Sequence, residues 1–224
     1  MLMAAGLLVR NGLGLEGWMD RLTGSAGFKG TVVVAAQAVV PRTMQQGGAI
    51  AIDPHAWQDP RNAVLYIEAI ADGLAGADPA NAATYRANAS RYATLITETD
   101  VWIARQLQPI PMARRRIITT HDAFGYYGAR YGVEFLAAEG ISTESEPSAK
   151  AIAALVAQIK REKVHAVFIE SMTSDRMARM LASETGAVPG GTVYSDALSP
   201  PGGPAADYLE MLRHNTALFA AAMV

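Results

Sequence analysis

The chain has 224 residues, half of them hydrophobic, a formal net charge of −2 and no cysteine. That length and apolar content supply a core for one or two domains, and the near-neutral charge without a basic run excludes nucleic acid or an anionic lipid surface as the expected partner. Absence of cysteine excludes disulfides and thiolate metal sites, and no apolar run reaches the roughly 18 residues of a membrane-crossing helix.

The opening MLMAAGLLVRNG has no basic leader stretch and ends in an Asn-Gly turn. It is therefore expected to be domain interior and not a signal peptide: a helix end, a strand over 7–9, then a turn. GLGLEG places Gly12, Gly14 and Gly17 at dinucleotide-loop spacing. No acidic residue follows about 20 positions on to hold a ribose, so these glycines are read as turn residues. The β-branched run 32–34 predicts a strand, PRTMQQGG a loop, and 49–52 another strand. Asp59 then Pro60 is a helix start, with Asp59 as N-cap. Val64, Ile67, Ala71 and Leu74 share one face of that helix, and Gly73 weakens its last turn.

Asp78-Pro79 repeats the start signal, and no glycine or proline interrupts the text from Ala80 to Gln108. A helix there would run roughly 43 Å, longer than a small domain is wide, and reads as a strut between two lobes. After it, strand and helix alternate: strand 116–120, helix 122–131, strand 133–137 and a helix from about Pro147. A strand over 164–169, a helix over 174–185 closed by Gly186, a short strand 192–194 and a final helix from Pro204 complete the series. This is the βαβ pattern of a mostly parallel sheet. The fold class expected is α/β, with an N-terminal lobe over 1–77, a linking helix over 78–108 and a C-terminal lobe over 109–224.

In open α/β sheets ligands bind beyond the carboxyl ends of strands. His55 in IDPHAW, His121 in TTHDAF and Asp196 in VYSDAL occupy such places. Two imidazoles and a carboxylate are a set that zinc accepts, with Asp53 and Asp122 placed to orient the imidazoles. Plainer readings compete. A histidine after a strand is commonly a hydrogen-bonded or packed residue, and an Asp in a Tyr-Ser-Asp loop is commonly a turn or cap residue. Glu170 ends the strand AVFIE and is a rival ligand or a loop anchor, whereas His165 reads as hydrogen-bonded structure, His214 as a solvated or partly packed residue of the final helix, and Ser171 as a helix-start residue. P-loop, HExxH and nucleophile-elbow motifs are absent.

NGLGLEGWMD, DPHAWQDPRNA, THDAFGYYGARYG, GISTESEPSA, AVFIES, ASETGA and YSDALSPPGGPAADYLEML occur in this order and span almost the whole chain. Together they resemble the zinc/manganese solute-binding proteins of bacterial ABC importers, the cluster A-I family. The resemblance is closest to the zinc-specific subgroup with three His and one Asp. It implies two α/β lobes, each a mostly parallel sheet flanked by helices, joined by one long rigid helix, with one metal ion in the cleft. Carried across, His55 matches the second ligand, His121 the third and Asp196 the fourth. Histidine at the third position points to Zn²⁺ over Mn²⁺.

The resemblance further implies a periplasmic, monomeric, non-enzymatic protein that does not itself span a membrane. It would deliver zinc to an ABC transporter membrane permease and work with a periplasmic zinc chaperone. The family's first histidine lies upstream of the segment matching NGLGLE, so the expectation is a truncated N-terminal lobe and a site completed by water, with weakened binding that falls further as pH drops through the histidine range. The loop over 42–48 lacks the histidine-rich stretch of many zinc members. The alternatives from the same ligands are a zinc hydrolase with Glu170 as base, or a scaffold that binds no metal.

Overall fold

The computed structural model describes residues 2–46, 49–119, 121–137, 148–162, 166–170, 183–185 and 188–224. The chain divides into two compact units, Met1–Asp100 and Val101–Val224.

In the first unit β1 (Leu7–Arg10) pairs in parallel with β2 (Thr31–Val34), Leu7 opposite Thr31 and Arg10 opposite Val34. The turn after β1 holds Gly12, Leu13 and Gly14 at φ of 89°, 54° and 87°. That left-handed run suits glycine and fits the turn reading of GLGLEG. Helix α1 (Met19–Ser25) follows. The sequence did not announce it, because seven residues containing Thr23 and Gly24 carry no clear apolar period.

A correction falls on PRTMQQGG. Thr43–Gln46 is a strand, β3, paired antiparallel with β4 (Ala49–Ile52), Thr43 opposite Ile52 and Gln46 opposite Ala49. Two residues separate the strands in sequence, the commonest hairpin spacing, and the polar Gln45 and Gln46 hid the first of them.

Helix α2 (Pro60–Ala77) starts as expected, with the Asp59 carboxylate accepting from the Arg61 N–H at 2.9 Å. Its buried face is made of alanines, Ala63, Ala69, Ala71 and Ala75, and the larger Val64, Ile67 and Leu74 are half-buried. Gly73 does not weaken the helix end, which continues to Ala77. A Cβ there would overlap Val33 Cγ2 and touch Leu7 Cδ1, so glycine lets the helix lie close on the β1–β2 sheet. After a 3-10 turn over Pro79–Asn81 comes α3 (Ala82–Leu107), 26 residues long, or about 39 Å. The division between the units falls within it.

The second unit is built on a parallel sheet, order β6 (Glu134–Ala137), β5 (Arg116–Thr119), β7 (Ala166–Glu170), β8 (Val188–Val193). Ile117, Ile118 and Thr119 are all buried, as a strand covered on both faces requires. Strand β8 starts four residues before the expected 192. Its Pro189 lacks an N–H, which an outer strand tolerates, and the pairing with β7 shifts register between Val167 and Ile169.

The helices are α4 (Gly125–Tyr131), α5 (Ala149–Glu162) and α6 (Tyr208–Ala222). Helix α4 begins three residues later than expected, leaving His121 and Asp122 in the preceding bend. Helix α6 begins four residues later than expected. Asp207 caps it by accepting from the Glu210 N–H at 2.8 Å, and the Glu210 carboxylate accepts from Ala206 N–H at 3.1 Å, a reciprocal capping pair. Of the helix expected over 174–185, only 183–185 lie among the described residues, and they are helical. Gly186, Pro147, His165, Ser171 and the GISTE loop lie outside them.

Phe219 of α6 is the hub of the second core. Its ring lies 5.3 Å from Phe124, 5.5 Å from Tyr127, and 5.2 Å from both Phe135 and Phe168, mostly edge to face. Each such pair adds about 0.5–1.5 kcal/mol beyond area burial.

The close approach at Gly73 predicts that Gly73→Val destabilises the first unit by about 1–3 kcal/mol through overpacking. Gly76→Ala, where a Cβ meets nothing within 4 Å, is expected to stabilise by up to about 1 kcal/mol through helix propensity. Urea unfolding of the two variants checks both signs.

Candidate metal centre

His55 sits between β4 and the 3-10 turn Ala56–Gln58 that leads into α2. It is buried at 4% exposure, and Asp53 at 2%. Asp53 Oδ1 accepts from the His55 backbone N–H at 3.0 Å and from ring Nδ1–H at 2.8 Å. An ionised carboxylate can only accept, so this pairing places a proton on Nδ1 and orients the ring. The Trp57 ring packs edge-on at 5.3 Å and confines the imidazole further.

The segment is also held from the β1 side. Asn11 donates to the Pro54 carbonyl at 3.0 Å, and Tyr66 donates its phenol proton to Asn11 Oδ1 at 2.7 Å. The Glu16 carboxylate accepts from the backbone N–H groups of Asn11 and Gly12. Asn11 and Glu16 were not singled out in the sequence. The signal was present in the NGLGLE turn, whose glycines fold Glu16 back onto the Asn-Gly amides.

In the second unit His121 follows β5. Thr119 Oγ1 donates to the His121 carbonyl at 2.9 Å, which pins the backbone at the strand end. Asp196 follows β8. His121 Nδ1 and Asp196 Oδ2 stand 3.7 Å apart, at 19% and 32% side-chain exposure. That is too long for a hydrogen bond. Two donors sharing one ion at about 2.1 Å each stand roughly 3.0–3.6 Å apart as the angle between them opens from 90° to 120°. The pair is thus spaced much as two ligands of a single divalent cation would be.

The other polar candidates sort as follows. His214 donates from Nε2 to the Thr192 carbonyl at 2.9 Å and lies edge-on to Tyr194 at 5.6 Å, so it is tied to β8 as well as partly packed. Glu170 closes β7. Asn215 was missed. It is 1% exposed, accepts from the Tyr194 N–H at 3.0 Å and donates to the Tyr194 carbonyl at 2.7 Å. Its neighbour Thr216 hydrogen-bonds the Tyr127 phenol at 2.9 Å. Their place in a helix whose apolar stripe is interrupted by two polar residues was the available clue.

A parallel α/β sheet with an imidazole and a carboxylate close together beyond its carboxyl edge defines a candidate metal-binding protein. The chain belongs to the family ZnuA, "Zinc-uptake complex component A periplasmic", which matches residues 1–222. This is a family of solute-binding transport proteins and not of enzymes, and it works with ABC transporter permeases.

Among curated relatives, the "Iron-binding protein YfeA" of Yersinia pestis is 34% identical over 210 residues, covering 93% of this chain and 67% of its own length. The "Manganese-binding lipoprotein MntA" of Halalkalibacterium halodurans is 32% identical, with 93% and 69% covered. The "Zinc-binding protein TroA" of Treponema pallidum is 31% identical, with 98% and 73% covered. The solved periplasmic zinc binding protein TroA from Treponema pallidum superposes with a TM-score of 0.87 at 30% identity, over 100% of this chain and 82% of that one. A Mn-bound periplasmic metal binding protein from Candidatus Liberibacter asiaticus gives 0.84 at 28% identity, over 100% and 82%. No helix among the described residues is long and apolar enough to cross a membrane.

Burial pushes the Tyr127 phenol well above its ordinary value, only partly offset by its hydrogen bond to Thr216 and by Arg115. In the pH range above about 10 the unfolded chain has lost that proton and the native chain retains it, so stability falls as pH rises. The expected slope from this one group is about 1.4 kcal/mol per pH unit. Alkaline urea titrations of wild type and Tyr127→Phe should differ by that slope.

Proposed function

We propose that this protein captures Zn²⁺ with His55, His121 and Asp196 and delivers it to the membrane permease of an ABC importer. The observation that carries the reading is the His121–Asp196 pair, two metal-competent side chains 3.7 Å apart. The buried Asp53 supports His55 as the third donor, because an orienting carboxylate on Nδ1 is the usual partner of a histidine that binds metal through Nε2. In this reading 1–77 and 109–224 act as the two lobes and 78–108 as their linking helix, and the protein works as a monomer that a periplasmic zinc chaperone can load.

Zinc is preferred over manganese on the chemistry of the donors. Two imidazoles and one carboxylate suit Zn²⁺, whereas Mn²⁺ favours oxygen-rich octahedral sites. A 3.7 Å separation needs an angle of roughly 120° at an ion about 2.1 Å from each donor, nearer to tetrahedral than to octahedral geometry. With three donors from these residues, the fourth tetrahedral position is open to water or to another donor. Relatives named for iron and for manganese make those ions the competitors to test.

Chelator-competition titration is expected to rank Zn²⁺ above Mn²⁺ and Fe²⁺, and a reversed order would remove the zinc assignment. His55→Ala, His121→Ala and Asp196→Ala should each lower zinc affinity by at least about 100-fold, and Asp53→Asn by about 10–100-fold, as expected for losing an orienting partner. Metal content by mass spectrometry after dialysis gives the same comparison without a chelator, and unchanged content in all three ligand variants would refute the site.

A further inference from the structure

Strand β7 lies between β5 and β8. Two strand spacings separate the strands that carry His121 and Asp196, about 9.6 Å, yet the two donor atoms are 3.7 Å apart. The two side chains span the difference, so the separation of their tips depends on what holds each strand-end segment in place. On the β8 side that is Asn215, whose buried amide grips both the N–H and the carbonyl of Tyr194, two residues before Asp196. On the β5 side Thr216, fully buried, holds the Tyr127 phenol of α4. Phe124, three residues after His121, rests on Phe219 one turn further along the same helix. Adjacent residues of α6 therefore anchor both ligand-bearing segments.

We propose that the Asn215–Thr216 pair is a positioning device that sets the His121–Asp196 separation and thereby the preference of the site for one divalent ion over another. This rests on the reading of His121 and Asp196 as ligands. Held wide, the pair suits the open angle of a four-coordinate ion. Released, the two donors can close toward the right angle of six-coordinate Mn²⁺ and the discrimination weakens. A dialled separation needs rigid anchors, and both hydrogen-bond sets are buried, where an unmade bond is costly.

The test is Zn²⁺ and Mn²⁺ competition titration of the full chain in five forms: wild type, Asn215→Asp, Tyr127→Phe, Ile159→Val and His121→Ala. Asn215→Asp is nearly isosteric and keeps the acceptor for the Tyr194 N–H but cannot donate to the Tyr194 carbonyl. Its added charge acts on both cations alike, so the Zn:Mn ratio reports geometry. Asn215→Asp should lower zinc affinity by about tenfold or more and manganese affinity by less, so the ratio falls. Tyr127→Phe should move the ratio the same way by a few fold, and it decides the matter alone if Asn215→Asp does not fold. Ile159→Val, a truncation in the same core, should leave the ratio at the wild-type value. The proposal is overturned if both anchor variants keep the wild-type ratio while His121→Ala abolishes binding. Intact binding in His121→Ala would instead remove the ligand assignment, and the proposal with it.

Discussion

Parallel strands in one sheet all point the same way, and the second unit depends on that constraint. It puts the carboxyl ends of β5 and β8 on one edge, so residues 75 positions apart in the sequence can serve one ligand. The same constraint requires both faces of the sheet to be covered. That explains why Ile117, Ile118 and Phe168 are buried and why α6 brings Phe219 against four other aromatic rings. The apolar core and the polar edge are consequences of one arrangement. Asn215 and Thr216, which hydrogen-bond Tyr194 and Tyr127, are neighbours of the residues that fill the core.

The first unit solves a similar problem with fewer apolar groups. Its helix α2 approaches β1 and β2 through alanines and Gly73, so contact is made by backbone proximity more than by large side chains. The polar residues around His55 form a chain: Glu16 to the Asn11 amide, Asn11 to Pro54, Asp53 to the imidazole. Buried polar groups of this kind are stable only when their hydrogen bonds are made. Such a network requires each member to be present, and it holds the His55 imidazole in one orientation.

Several readings depended on text that the chain presents in short, unambiguous pieces. Asp59-Pro60 announced the start of α2, the uninterrupted stretch to Gln108 announced α3, and the apolar run at 116–119 announced a buried strand. The ligand-type residues at strand ends could be picked out because topology restricts where ligands bind, while spacing alone left each of them with a plainer explanation. Misreadings came where local signals conflict with tertiary demands. Gln45 and Gln46 read as loop residues until the partner strand β4 is seen. Gly73 reads as a weak helix end until Val33 is found against it.

The sequence by itself determined the α/β class, the family and the identity of the candidate donors, because those rest on local pattern and residue chemistry. Tertiary structure alone decided that Asp53, and not another neighbour, holds the His55 ring, that His121 and Asp196 come within 3.7 Å, and that Asn215 stands behind Tyr194. The physical reason is range. Propensity and periodicity act over a few residues, whereas a donor's position is set by hydrogen bonds and packing between segments far apart in the chain, which no local stretch of text encodes.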